Sequence, residues 1–326
     1  MRRRLTVAGS VLVALLAAVQ LVAVVAYALG DDDGTAAGMA AVPTLLRAPD
    51  IPARTVAAYE GAGAWVDVYD IGAVPGETAT VTPDDIDAMA DAGVRTLYLQ
   101  AARDDGTDQP AVAAPDVVAQ FLVRAHERGM RVVGWYLPRF DDVDRDLEHL
   151  QAIDRFEVLD DRFDGVAVDI EWRDSVDDPA ERSARLVELS EGLRASVGGD
   201  ALGAIVLAPV HLEVVNPGFW PRFPWEELAP LYDAWLPMGY WSDRTTASGY
   251  RHAATYTTEN LRRLGDNLGD DVAVHAIGGL GAESTPDDVA GFVAAAQAEG
   301  AVGASIYDWA TFPEESQRQL SAAFDP

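Results

Sequence analysis

Apolar positions along this chain follow two regimes. From Leu5 to Leu29 no charged residue interrupts them, with Arg2-Arg3-Arg4 on one side and Asp31-Asp32-Asp33 on the other. From Ala64 onward they arrive in short bursts: Trp65–Asp70, Thr96–Gln100, Arg131–Pro138, Gly165–Trp172, Ala204–Val210, Ala234–Trp241, Val272–Gly278 and Val302–Trp309. The bursts are β-branched and aromatic, and apolar almost throughout, which is the pattern of strands covered on both faces. The stretches between them carry helix punctuation. Thr82-Pro83-Asp84-Asp85 and Thr285-Pro286-Asp287-Asp288 each supply an N-cap, a first-turn proline and acids at the positive helix end. Gly93, Gly129 and Gly300 fall where helices end before a strand. Pro179–Val197 and Tyr256–Leu268 repeat apolar residues at three- and four-residue spacing. Eight strand-helix units in about 260 residues predict a (β/α)8 barrel. The rival, a doubly wound open sheet, would need a Gly-rich phosphate loop after a strand, and none follows.

The N-terminal run is long enough to cross a bilayer core of about 30 Å as a helix rising ~1.5 Å per residue. Its arginines would stay inside and its aspartates face out. Ala26-Tyr27-Ala28 also reads as a small-x-small cleavage site. Residues 1–30 are therefore expected to be a signal anchor or signal peptide, 31–63 a linker, and 64–326 the barrel. The barrel would lie outside the cytoplasm, either membrane-anchored or released after cleavage near Ala28.

Composition narrows the chemistry. The 326 residues contain no cysteine, so no disulfide, thiolate nucleophile or Cys-ligated zinc site is available. All 24 basic residues are arginine, which excludes a Schiff-base lysine and a P-loop lysine. A net charge of −29 argues against nucleic acid as a partner, because so acidic a surface repels phosphate. The five histidines (His126, His149, His211, His252, His275) show no metal-ligand spacing, so neither metal nor cofactor is expected. His211 and His275 fall near strand ends, where they would line a pocket.

In a barrel the chemistry belongs at the C-terminal strand ends. Strand four ends Asp164-Gly165-Val166-Ala167-Val168-Asp169-Ile170-Glu171-Trp172. Side chains alternate, so Asp169 and Glu171 point the same way, inward, about 6.6 Å apart along the strand. Two carboxylates at an apolar mouth do not ionise independently, and one is pushed towards the protonated form that a general acid needs. Strand six closes with Pro237-Met238-Gly239-Tyr240-Trp241 and strand eight with Ile306-Tyr307-Asp308-Trp309. Strand three brings Trp135 and Tyr136, strand one Asp67, Tyr69 and Asp70, and strand two Gln100. Aromatic faces at a concave mouth suit stacking on sugar rings.

Asp-Gly-x-x-x-Asp-x-Glu on strand four, Met-x-Tyr on strand six and a tryptophan closing strand eight resemble the chitinase-type family 18 glycoside hydrolases. The resemblance implies that Glu171 protonates the leaving oxygen. It implies that Asp169 orients the substrate's N-acetyl group as internal nucleophile, that Tyr240 hydrogen-bonds that group, and that Trp309 floors the sugar. Where that family has a further inward aspartate, this chain has Ala167. A second resemblance is to family 25 muramidases, on Val66-Asp67-Val68, Gly134-Trp135-Tyr136 and Val168-Asp169-Ile170-Glu171. It implies Asp67 as nucleophile, and a barrel glycosidase of a further family would use an acid such as Asp308.

The expectation is an exported, monomeric glycosidase acting on an N-acetyl-amino-sugar polysaccharide, chitin-like or cell-wall glycan, with a two-carboxylate retaining mechanism as alternative. A carbohydrate-binding envelope barrel without turnover is the non-enzymatic alternative. Gly278-Gly279-Leu280-Gly281 is expected to be a plain tight turn, and Asp141, Asp142, Asp144 and Asp146 to cap and solvate a helix.

Overall fold

The computed structural model describes residues 52–104, 111–269 and 271–324. The signal or anchor segment and the linker up to residue 51 lie outside them. Among the described residues no helix is long and apolar enough to cross a membrane.

Eight parallel strands close into a barrel in which each pairs with its sequence neighbours and the last returns to the first. They are β1 (Gly61–Val66), β2 (Thr96–Gln100), β3 (Arg131–Tyr136), β4 (Gly165–Ile170), β5 (Leu202–Leu207), β6 (Ala234–Met238), β7 (Ala273–Leu280) and β8 (Gly303–Tyr307). The helices between them are α1 (Asp85–Asp91), α2 (Pro115–Glu127), α3 (Val143–Arg155), α4 (Pro179–Val197), α5 (Trp225–Leu228), α6 (Ala253–Leu268), α7 (Pro286–Ala298) and α8 (Glu314–Ala323). Thr285 caps α7 with a reciprocal capping box to Asp288, as its sequence predicts. The β5–β6 connection departs from the regular pattern. It holds only a wide turn (His211–Val215) and the four-residue α5. Pro217, Pro221 and Pro224 in that stretch deny it the backbone donors of a longer helix.

Alternation along β4 separates two cores. Val166, Val168 and Ile170 join the shell between strands and helices, against residues such as Phe121, Leu150 and Leu189. Ala167 points into the barrel, among Tyr59, Trp65, Tyr98, Val133 and Trp135. The interior is filled by rings. Tyr59, from a 3-10 turn at Val56–Tyr59, plugs the lower end and donates its hydroxyl to Val166 O at 2.8 Å. Gly165 and Gly203 make room for it: a Cβ on either would come within 2.9 Å of the ring or hydroxyl. Above it, Trp65 stacks on Tyr98 with centroids 4.4 Å apart.

The barrel begins earlier than its sequence suggests. Residues 52–63 were expected as linker, yet the compact unit starts at Pro52 and β1 at Gly61. Arg54 is buried beneath the barrel, paired with Asp154 and Asp200, with Nε donating to Phe163 O at 2.8 Å. Gly61-Ala62-Gly63-Ala64 resembles linker because its residues are small. They are small because the interior is crowded: a Cβ on Gly63 would sit 2.6 Å from the Tyr98 ring. β1 ends at Val66 rather than Asp70.

Candidate active site

A cavity of about 520 Å³ opens at the C-terminal strand ends. Asp67, Tyr69, Gln100, Trp135, Asp169, Glu171, Met238 and Tyr240 all line it, so seven segments of the barrel contribute when Tyr307 and Leu280 are included.

Asp169 closes the inward row of β4 and is buried, and its Oδ1 has no hydrogen-bond partner within the protein. Burial, then the neighbouring Glu171 charge, hold its carboxyl well above the ordinary range. Burial also raises Glu171. Ala167, one inward position below, is apolar and fully buried, so no second carboxylate shares a proton with Asp169 from beneath. The Tyr240 hydroxyl is held protonated by burial first, then by the Glu171 and Asp169 charges. The three therefore sit in one electrostatic cluster, two acids and a hydrogen-bond donor in a low-dielectric pocket. Trp135 lines the same cavity, and its buried Nε1–H is also without a partner.

Asp67 lies one residue beyond β1 and is tightly held. Its Oδ1 accepts from the backbone N–H groups of Tyr69 (2.8 Å) and Asp70 (3.0 Å), and its Oδ2 from the Tyr307 hydroxyl (2.7 Å). Asp70, raised to about 6 by burial and by Asp67, sits behind this loop, accepting from Asp67 N at 3.2 Å and Thr80 Oγ1 at 3.0 Å. Gln100 accepts from Val68 N at 3.2 Å and braces the same loop.

Four residues expected at the site lie elsewhere. Tyr136 follows the inward Trp135, so it points out of the barrel and donates to buried Asp146 at 2.6 Å. Asp146 also accepts from the Phe140 and Arg139 amides, so it organises the β3–α3 loop and is not solvated. Trp241 follows the inward Tyr240 and packs outside, against Phe292 and over Gly278 and Gly279. Those glycines belong to β7 and its approach to the indole, not to a tight turn. Trp309 falls beyond the end of β8. It is half-buried against the outer core with its backbone amide donating to Trp65 O at 3.0 Å, and Tyr307 lines the cavity in its stead. Asp308 turns away to accept from Thr311 N and Oγ1. The two histidines expected near the pocket are not there either. His275 is sealed in the barrel interior, driven down to about 4 by burial, with Nε2 2.9 Å from Ser305 Oγ. His211 sits in the wide turn after β5, 2.9 Å from Arg244 Nη1.

The sequence reading missed Trp172, Arg103, Asp104, Arg139 and Tyr307 as lining residues. Tyr307 was legible by parity with Ser305, which faces inward to receive the Trp65 indole N–H at 2.7 Å. The arginines stand on loops, where periodicity carries no signal.

No protein-family model matches the chain, and no curated protein matches it in sequence. Solved structures do share its architecture. A variant of the family 18 chitinase of Cycas revoluta, in complex with (GlcNAc)4, aligns at TM-score 0.59 with 12% identity, over 81% of this chain and 100% of that one. The spore cortex-lytic enzyme SleL of Bacillus cereus aligns at 0.57 with 8% identity, over 82% and 74%. The endo-1,4-β-D-mannanase of Thermotoga petrophila RKU-1 aligns at 0.55 with 9% identity, over 76% and 88%. At these identities the likeness is one of fold: the chain is a (β/α)8 barrel of the architecture these structures share, with its cavity at the strand ends where such barrels carry their sites.

Proposed function

We propose that the protein is a glycoside hydrolase acting on an N-acetyl-amino-sugar polysaccharide, chitin-like or cell-wall glycan. The carrying observation is the unmet Asp169 Oδ1, buried in the cavity beside Glu171 and Tyr240. A buried acceptor without a partner costs free energy unless a ligand supplies one. An acetamide N–H does so, while its carbonyl oxygen takes the Tyr240 hydroxyl. Held this way, the carbonyl oxygen attacks the anomeric carbon as Glu171 gives its proton to the departing glycosidic oxygen. The cyclic oxazolinium then opens when water attacks the same carbon, with Glu171 taking the water's proton. Substrate assistance of this kind needs no carboxylate nucleophile from the enzyme, and its advantage is the effective concentration of a pre-positioned group. Trp135, Tyr240 and Tyr307 provide the aromatic walls for the sugar. Export rests on the Arg2–Arg4, Leu5–Leu29 and Asp31–Asp33 pattern alone.

A second reading keeps Asp67 as nucleophile, because it too lines the cavity. Residues 52–326 incubated with chitin oligomers, the same oligomers after de-N-acetylation, peptidoglycan and neutral glycans, with products weighed by mass spectrometry, separate the readings. Cleavage confined to acetylated material supports substrate assistance. Equal cleavage of the de-N-acetylated oligomers hands the role to Asp67, and no cleavage of any glycan leaves a binding barrel.

A further inference from the structure

Two arginines, Arg103 and Arg139, line the cavity of a chain whose net charge is −29. Arg139 lies in the β3–α3 loop, with its guanidinium 5.7 Å from the Trp172 ring centroid. Ser175 ties the pair together: its Oγ accepts from Trp172 Nε1 at 2.9 Å and from Arg139 Nε at 3.4 Å. Trp172 follows Glu171 in the chain, and Arg139, Trp172 and Glu171 all line the same cavity. Its ion pair with Asp141 is long, 3.9 Å, beyond hydrogen-bonding distance, and its side chain is 32% exposed. Among the described residues no carboxylate engages its fork in hydrogen bonds. Asp104 of the same cavity is by contrast matched to Arg145 at 3.1 Å, and Asp67 to Tyr307.

A guanidinium backed by an aromatic face and anchored through Nε presents its remaining N–H groups edge-on. That arrangement pairs with planar anions and is what lysine lacks. We infer that Arg139 is a specificity residue that binds a carboxylate carried by the glycan, on a sugar next to the one whose bond is cleaved. The inference rests on the hydrolase reading above. A single planar charge suits the place better than a phosphate dianion, because the acidic side chains of Asp67 and Asp104 share the cavity and disfavour each added negative charge. The carboxylate has two chemical sources, a lactyl ether on an amino sugar or a uronic acid alternating with one.

The test compares kcat and KM on three N-acetylated oligosaccharides of equal length: a neutral chitin oligomer, a peptide-free glycan bearing lactyl ethers, and a uronate–acetamido-sugar copolymer. The wild type should favour one carboxylate-bearing oligomer over the neutral one by about tenfold to a hundredfold, the range of a charge-assisted hydrogen bond. Whichever acidic oligomer it favours names the source. Arg139→Gln should erase most of that preference through KM, and methyl esterification of the carboxylates should erase it for the wild type. A loss shared equally by neutral and acidic oligomers makes Arg139 merely structural and overturns the inference, as does a wild-type preference for the neutral oligomer. If no oligomer is cut, it is the hydrolase reading that fails. Equilibrium binding of the same three oligomers to wild type and Arg139→Gln then decides the carboxylate preference independently.

Discussion

Tyr307, the last residue of β8, donates its hydroxyl to Asp67 Oδ2 at 2.7 Å, tying the end of the barrel to the loop after its first strand. With two backbone amides on Oδ1, Asp67 is a carboxylate already spent on structure. Asp169, with Oδ1 unmet, is the contrasting case on β4. The contrast gives the first prediction. Asp67→Asn and Tyr307→Phe should each reduce stability by about 1 kcal/mol, the net worth of a hydrogen bond, and lower turnover less than about tenfold. Asp169→Asn should lower turnover by about a hundredfold or more, as losing a preorganised electrostatic contact does. Chemical denaturation and steady-state kinetics on the three variants check this, and an Asp67→Asn loss as large as that of Asp169→Asn contradicts it.

Asp169 should also weaken the fold it serves. Its carboxyl is raised in the folded protein by burial and then by Glu171, so the native state favours the protonated form. Stability from such a group is fully present below the unfolded carboxylate range, near ~3.9, and is lost as pH rises through the folded value. Asp169→Asn, which cannot ionise, should therefore raise the thermal midpoint at pH 7 by a few degrees, at about 2–4 °C per kcal/mol for a domain of this size. The gain should shrink towards pH 4. Calorimetry across that range reads it, and a variant less stable at every pH refutes it.

How much of this was legible beforehand follows from the periods involved. The strands β2, β3, β4 and β6 begin where their apolar runs begin, because a strand covered on both faces has a sequence that hides nothing. Glu171 and Asp169 line the cavity together because alternation turns both inward. The same rule, applied to Trp135-Tyr136 and Tyr240-Trp241, assigns one member of each pair to the outside, where Tyr136 meets Asp146 and Trp241 meets Phe292. Reading both members as lining residues ignored it. Trp309 was misplaced for a different reason: β8 stops at Tyr307, with its register against β7 shifting between Ser305 and Tyr307. The start of β1 was hidden because small residues in a crowded interior look like a linker. Arg139 and Trp172 were invisible as a pair, since what joins them is Ser175 and a loop conformation.

His126 on α2 carries a pH dependence of opposite origin, away from the cavity. Its ring nitrogens face Asp161 Oδ1 at 2.7 Å and Asp164 Oδ2 at 2.9 Å, and these bonds, Asp164 first, raise it to about 8. Asp164 also accepts from Val132 N at 2.8 Å, so the cluster pins α2 to the start of β4. The stability it supplies is fully present below the ordinary histidine value of ~6.5 and fades as pH rises through about 8. His126→Gln should cost about 1–2 kcal/mol at pH 6, one pKa unit being 1.36 kcal/mol, with the gap largely closed at pH 9. Urea midpoints at the two pH values measure it, and an equal gap at both would show that the pair is not charged.

The proposed hydrolysis turns on Glu171 supplying the proton to the departing sugar. The most direct measurement is the turnover of Glu171→Gln on an N-acetylated chitin oligomer, alongside its affinity for the same oligomer. The glutamine keeps the side chain's shape and has no proton to give, so kcat should fall by roughly 10²–10⁴ with the dissociation constant within a few-fold of wild type. Turnover near the wild-type value would place the chemistry on another residue.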